Sequence, residues 1–308
     1  MMCSGVSGEP SRLHRRIVGG TLAQAHDLPL VVQVVTRDSH ANLTRTCSGF
    51  FVDSTHVLTA AHCVQDGAKK PLLPNHIFIR GSQQASSTEL QRVQSVHPYF
   101  VSNYVNDITI LRLQSPYTLE ARPPQTFSRS RPTPGKVLRV GGWGLQTKTP
   151  SIDEKRTYED DRLQYADFEV IPCRLPFKMS QRSMDYFLLC TPANPERRIN
   201  IGDSGGPIVS FHNGQWVIHG MVLLYYQPSI NQITPLATGW VAVFARLEPY
   251  MHWIQSITHQ SAEALTGTAG EFSDPIEYMD YLHTAAATSH IWSVRILGLS
   301  VLLSLHLI

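Results

Sequence analysis

The run Gly202-Asp203-Ser204-Gly205-Gly206-Pro207 sets a serine among glycines. A backbone this poor in Cβ atoms can make a tight turn, expose the hydroxyl and leave amides aimed at a substrate oxygen. A serine hydroxyl attacks well only beside a base, and the base works only when a carboxylate orients it. Thr59-Ala60-Ala61-His62-Cys63 supplies a histidine, and Asn106-Asp107-Ile108-Thr109-Ile110-Leu111 supplies an aspartate at the mouth of an apolar strand. These residue types together point to acyl transfer. An esterase or acyltransferase shares that chemistry, but the strand–elbow–helix context of its Gly-x-Ser-x-Gly turn is missing here. A fourth run, Ile17-Val18-Gly19-Gly20, follows directly on Arg15-Arg16.

These four runs, in this order and with Gly142-Trp143-Gly144 between the aspartate and the serine, resemble the chymotrypsin/trypsin family of serine peptidases over about 17–258. The resemblance implies an all-β fold: two six-stranded antiparallel β-barrels with the active site between them and a C-terminal helix. It assigns His62 as the base, Asp107 as its orienting carboxylate and Ser204 as the nucleophile, with the amides of Gly202 and Ser204 as the oxyanion hole. Residues 1–16 become an activation peptide. Cleavage after Arg16 would free the Ile17 amine to pair with Asp203, since a buried carboxylate needs a partner. The bland alternative makes Arg15-Arg16 a basic surface pair. The resemblance also implies disulfides Cys47–Cys63 and Cys173–Cys190, the second flanking a helix over Leu175–Leu188.

The sequence departs from the family where substrate is chosen. Asn200 stands where most members have a cysteine, and Arg198 stands where trypsin-like members carry an aspartate at the base of the pocket. Matching Gly220–Tyr225 to the family's substrate-binding strand puts Leu223 where serine is usual and Tyr225 where glycine opens the pocket, with Ala242 on the other wall. A cation there repels Lys and Arg side chains. Cleavage after Lys or Arg is therefore expected to be absent, with a small or acidic P1 residue favoured, so the enzyme could not activate itself after Arg16. The family's calcium loop needs paired acids between about 69 and 90, and only Glu89 is present, so no metal is expected, nor any cofactor.

The rest of the chain must position these residues. It has 308 residues, 42% hydrophobic and 16% charged, which excludes disordered and collagen-like chains. Short β-branched runs recur between turn residues: Leu30–Val35, Val57–Leu58, Ile77–Ile79, Ile108–Leu113, Val137–Val140, Ile208–Val209, Trp216–Ile218 and Val241–Phe244. Such spacing predicts an all-β barrel or sandwich. Tyr250, Trp253, Ile254 and Ile257, after Pro249, predict one helix near the end. Beyond His259 the composition is that of a linker. The charged stretch Lys148–Arg162 reads as a solvated loop; a calcium site there has only adjacent acids without ligand spacing in its favour.

The formal net charge of +2 gives no nucleic-acid footprint. It is unevenly spread: residues 1–16 carry a net +2 and residues 261–308 a net −4. Five cysteines without a C-x-x-C fit two disulfides and a leftover Cys3 in a secreted protein, or five reduced thiols in a cytosolic one. The first sixteen residues contain no apolar signal region. Ile296–Ile308 is apolar throughout but for a few serines, a glycine and a histidine; as a helix its thirteen residues would reach roughly 20 Å, short of a hydrocarbon core of about 30 Å. Ala285-Ala286-Ala287 followed by a mixed spacer and this tail has the layout of a lipid-anchor signal; a true span or a packed tail are the other readings. Either membrane reading requires the secretory route. Asn42-Leu43-Thr44 is a glycosylation sequon.

The expected organisation is thus an activation peptide at 1–16, a peptidase domain at 17–259, an acidic stalk at 260–290 and a hydrophobic anchor or anchor signal at 291–308. Its expected place is extracellular or on the cell surface. The partners would be polypeptide substrates, an activating peptidase acting in trans, protein inhibitors and, through the tail, a membrane. A catalytically inactive homologue acting as a binding or regulatory protein is the competing function. Intact His62, Asp107 and Ser204 weigh against it, while the altered pocket weighs for it.

Overall fold

A computed structural model describes residues 17–24, 27–38, 43–81, 90–99, 106–117, 125–144, 162–177, 179–227, 239–268 and 305–307. After β1 (Thr21–Leu22), six strands close into a barrel: β2 (Val31–Asp38), β3 (Leu43–Phe51), β4 (His56–Thr59), β5 (Ile77–Gly81), β6 (Gln91–Pro98) and β7 (Thr109–Leu113). Their order around the barrel is β2-β3-β4-β7-β6-β5. β5 alternates in the expected way, with Ile77, Ile79 and Gly81 buried and Phe78 and Arg80 less so. β2 does not alternate. Val31 through Thr36 are all buried, because β2 packs against β9 of the second sheet as well as against its own barrel.

The second sheet is built from β8 (Gln125–Phe127), β9 (Val137–Gly142), β10 (Gln164–Glu169), β11 (Leu188–Ala193), β12 (Pro207–His212), β13 (Gln215–Tyr226), β14 (Trp240–Arg246) and β15 (Leu305–Leu307), together with β1. It has nine strands, ordered β1-β10-β9-β12-β13-β14-β11, with β8 and β15 both on β13. The six strands from β10 to β11 curl until Ile171, just past β10, bridges Cys190 of β11. The ring meets through that single bridge because Pro172 follows and has no N–H to extend a ladder. The expected all-β architecture is present, with the first barrel closed and the second more open than expected.

The core crosses this division, since the barrel's cluster continues onto Val209, Ile218, Met221 and Val243 of the second sheet. One cluster of buried side chains fills the closed barrel and runs on to Trp143 and Met251; a second, inside the nine-stranded sheet, gathers Ile17, Val140, Phe168, Ile199, Ile208, Val222 and Phe244. Each fully buried side chain of this kind contributes about 1.5–3 kcal/mol.

Helix α1 spans Gln181–Phe187, shorter than the expected Leu175–Leu188. Pro176 disfavours helical backbone at Leu175, and Ser180 starts the helix by accepting the Ser183 amide at 3.1 Å. Helix α2 (Met251–Thr258) matches the expected stripe and ends at His259 in a left-handed conformation. The packed chain continues past that point. Ser261 caps a short helix α3 (Ala262–Thr266), which buries Leu265 and packs on β8. Among the described residues no helix is long and apolar enough to cross a membrane. Of the apolar tail only β15 is described.

Candidate active site

Each candidate side chain is fixed by a separate local feature. His62 sits in a single helical turn, Ala61–Val64, that leaves β4. Asp107 lies just before β7, whose Thr109 pairs with Thr59 of β4. Adjacent strand ends therefore bring the two residues together. His62 Nδ1 lies 2.5 Å from Asp107 Oδ2, and the His62 amide donates to Oδ1 at 2.7 Å. The carboxylate thus binds one residue through both ring and backbone, which fixes the imidazole's orientation. Burial pushes the Asp107 carboxyl up, but its attraction to the His62 ring and the hydrogen bonds from His62 outweigh this and hold it below the ordinary carboxylate range. Behind Asp107, the buried Tyr250 hydroxyl donates to Asn106 Oδ1 at 2.9 Å, tying the C-terminal helix to the aspartate's neighbour.

The Cys47–Cys63 disulfide forms and stands between the histidine and the serine. Cys63 Sγ lies 3.8 Å from His62 Nε2 and 3.8 Å from the Ser204 carbonyl oxygen. Cys47 Sγ, Cys63 Sγ and a His62 nitrogen lie within 4.8 Å of one another, but both sulfurs are spent in the disulfide and offer no thiolate to a metal. The Ser204 side chain is buried, and its hydroxyl has no hydrogen-bond partner among the described residues.

The turn around Ser204 has a distinct pattern of backbone use. The amides of Asp203, Gly205 and Gly206 donate to Asn200, Val222 and Asp203 carbonyls at 2.9–3.0 Å. The amides of Gly202 and Ser204 donate to nothing among the described residues. Gly202 adopts φ +96°, and a Cβ there would meet the Gly144 Cα at 2.9 Å. The turn is held from the first barrel by Ser48, a residue that motif reading overlooked. Ser48 Oγ donates to the Gly202 carbonyl and accepts from the Trp143 amide, both at 2.8 Å, while the Ser48 amide donates to the Ser204 carbonyl at 2.9 Å. Its only signal in the sequence is its place next to Cys47.

Asp203 is fully buried. Its carboxylate accepts the Gly144 amide at 2.8 Å and the Asn200 amide at 2.7 Å. Any side chain at Gly142 or Gly144 would collide with it, because a Cβ there would lie 2.2 or 2.5 Å from its atoms. Ile17 is also fully buried, in the second core cluster, and Val18 makes an isolated antiparallel bridge to Arg198 in the segment leading to Asp203.

Three of the four expected pocket residues meet. Arg198 is 2% exposed, donates to the Pro195 carbonyl, and lies 5.2 Å from the centre of the Trp240 ring. Tyr225 stacks on the same ring at 5.9 Å and 14°, and pairs across the strand with Ala242. Burial lowers the Arg198 pKa and raises that of Tyr225. Trp240, the centre of this stack, carries no motif in the sequence. Leu223 is buried in the irregularity where β13 shifts register on β14. Cys173–Cys190 also forms. Cys3, Arg16, Asn42, Glu89 and the acids of 153–161 lie outside the described residues. An open cavity of about 560 Å³, lined by Val137, Arg139, Asp167, Phe211 and Trp216 among others, contains none of the candidate residues.

A family model for trypsin matches residues 17–254. The chain belongs to the trypsin family. It is 30% identical over 260 residues to "Vitamin K-dependent protein C" of Rattus norvegicus, covering 80% of this chain and 53% of that protein. It thus spans about half the length of that relative. It is 29% identical over 259 residues to "Chymotrypsin" of Phaedon cochleariae, covering 80% of this chain and 84% of the relative. To "Chymotrypsin-like elastase family member 1" of Canis lupus familiaris it is 27% identical over 253 residues, 79% of this chain and 92% of the relative.

Proposed function

We propose that the chain is a serine endopeptidase made as a zymogen, cut after Arg16, and selective against Lys and Arg at P1. The observation that carries this is the doubly bonded His62–Asp107 pair across one disulfide from Ser204. In the proposed reaction Ser204 Oγ attacks the scissile carbonyl carbon and its proton passes to His62 Nε2. The carbonyl oxygen becomes the oxyanion, held by the free amides of Gly202 and Ser204. When the C–N bond breaks, His62 gives that proton to the leaving amine, and an acyl-enzyme remains on Ser204. Water then repeats the sequence and releases the acid. A buried hydroxyl without a partner costs about 1–3 kcal/mol, and a bond to Nε2 in the reacting complex removes that cost.

Activation would place the Ile17 ammonium against Asp203, whose carboxylate also orders Gly144 and Asn200. The Arg198 guanidinium beside Tyr225 and Trp240 repels a basic P1 side chain and attracts an acidic one, and the filled volume favours a small one. Activation then falls to a basic-specific peptidase in trans. The two disulfides require an oxidising compartment, which fits an extracellular or cell-surface protein. Glycosylation at Asn42 and a membrane contact through a retained tail belong to the same reading.

Two observations favour the alternative of an inactive binding protein: Ser204 is fully buried, and its hydroxyl does not bond His62. The deciding experiment is labelling with a fluorophosphonate before and after cleavage at Arg16–Ile17, with Ser204→Ala as control. Labelling that appears only after cleavage is expected. Folded, cleaved protein that takes no label overturns the peptidase reading.

A further inference from the structure

Strand β13 has two edges, and they are used differently along its length. One edge carries β14 from Gly220 to Tyr226. The other carries β12 from Gln215 to Met221. At Val222 that second edge is taken by the serine turn: Gly205 donates to the Val222 carbonyl at 2.9 Å, and Val222 donates to the Gly206 carbonyl at 2.8 Å. Beyond it, at Leu224–Tyr226, β15 completes the row. The antiparallel register is Leu224↔Leu307, Tyr225↔His306 and Tyr226↔Leu305. At about 3.3 Å per residue, this added strand begins some 7 Å along β13 from Val222. It lies in line with the turn that carries Ser204, and it runs toward that turn.

We propose that the chain's own segment Leu305–Leu307, paired on the edge of β13 at Leu224–Tyr226, restrains the peptidase in cis by holding the edge along which the family resemblance places substrate. This rests on the peptidase reading above and adds its regulation. An unpaired strand edge takes another strand through backbone hydrogen bonds, largely independent of side chain. Three observations meet here. The pairing is antiparallel and continuous with the edge used by the nucleophile turn. Ser204 is fully buried, although its hydroxyl bonds nothing among the described residues. Finally, the run Ile296–Ile308 is apolar in sequence, and an apolar run of that length is a candidate binding segment. A peptide substrate approaching Ser204 along β13 would have to displace the tail. A tail held in a bilayer would leave the edge open.

The test compares two proteins cleaved after Arg16: the full chain, and the full chain carrying Leu305→Pro, His306→Pro and Leu307→Pro. Proline has no backbone N–H and cannot donate to β13. Both are assayed on peptide substrates, and the prolines are expected to lower KM about tenfold with kcat unchanged, as when a state closed about nine-tenths of the time is opened. A peptide of sequence 299–308 with added lysines for solubility should inhibit the variant competitively. Equal KM values in two active proteins overturn the proposal and leave the peptidase reading intact. Should neither protein take a fluorophosphonate, the peptidase reading fails, and hydrogen exchange of the Leu224–Tyr226 amides decides the docking alone. Slower exchange in the full chain than in the proline variant upholds the strand pairing, and equal exchange overturns it.

Discussion

The base half of the candidate site and the nucleophile half are built on different terms. His62 and Asp107 stand on neighbouring strand ends of a closed barrel, and their pairing rests on that barrel, on the Cys47–Cys63 loop and, through Asn106, on Tyr250. Ser204 stands in a sheet that meets itself through one bridge. Its turn is ordered by the Asp203 carboxylate, by the docking of Ile17-Val18 and by Ser48 reaching across from the first barrel. The pocket stack and the tail strand belong to this second half as well. The first half is finished by its own fold, whereas the second is assembled from contacts that cleavage, substrate or the tail can change. Regulation and specificity are therefore expected to reside in the second half.

The largest effect should come from breaking the finished half. Asp107→Asn would leave the packing intact and set the wrong imidazole tautomer. kcat on a peptide substrate should fall by about 10⁴-fold, as when the orienting carboxylate of such a triad is neutralised. Heat unfolding should change little by comparison. A variant retaining most of its kcat would mean that the His62–Asp107 pair is structural only.

The two disulfides sharpen the contrast because they close loops of similar length, with sequence separations of 16 and 17. Replacing either pair by alanines should cost about 3 kcal/mol in denaturant unfolding. The kinetic consequences should differ. Loss of Cys47–Cys63 acts beside His62 and should lower kcat, while loss of Cys173–Cys190 loosens the closure between β10 and β11 and should raise KM.

The first half was more legible in the sequence than the second. The His62 and Asp107 runs carry their neighbours with them, and the β-branched runs around them fall on β2, β4, β5 and β7. β3 and β6 are not evident, because the polar residues Thr44, Arg45 and Thr46, or Gln91, Arg92 and Gln94, leave no apolar run to mark a strand. In the second half the serine run was plain, yet Trp240, Ser48 and β15 were invisible. Each acts on residues 15 to more than 150 positions away, and no local pattern records that. The pocket substitutions could be named from position alone, but only the stack on Trp240 shows Arg198 and Tyr225 meeting. The composition beyond His259 likewise hid α3, whose only inward apolar side chains are few.

Acid should separate the halves again. His219, buried in β13 with Ser210 Oγ 2.9 Å from Nε2, is pushed down to about 3 by burial, with Lys136 and Arg246 adding repulsion. Its folded form prefers to be neutral, so the unfolded chain binds a proton first as pH falls below about 6.5. The stability it contributes is present above that value and is lost between about 6.5 and 3. Unfolding free energy should drop by about 2–3 kcal/mol by pH 4.5, and His219→Gln should flatten that slope. The Asp107 carboxyl, held below the ordinary range, contributes stability that is lost only as the pH falls through the carboxylate range. His97 of β6 is likewise held below its ordinary value by burial, with His56 and Arg112 adding repulsion, so the first half weakens in the same direction, and the larger loss is expected in the second through His219.

The smallest expected effect tests a residue that joins the two. Ser48 belongs to β3, but its hydroxyl serves the Gly202 carbonyl and the Trp143 amide, both in the second half. In Ser48→Ala the Cβ remains and no cavity larger than an oxygen opens, so the closed barrel should keep its packing. Two buried backbone groups lose a partner, at a cost on the order of 1–2 kcal/mol. That cost should be confined to the serine turn. Hydrogen exchange should quicken at 141–144 and 202–206 while β5 and β7 stay protected, and kcat should fall several-fold with KM little changed. Uniform loosening of both regions would show that the halves are one cooperative unit, and would remove the distinction on which their division of roles depends.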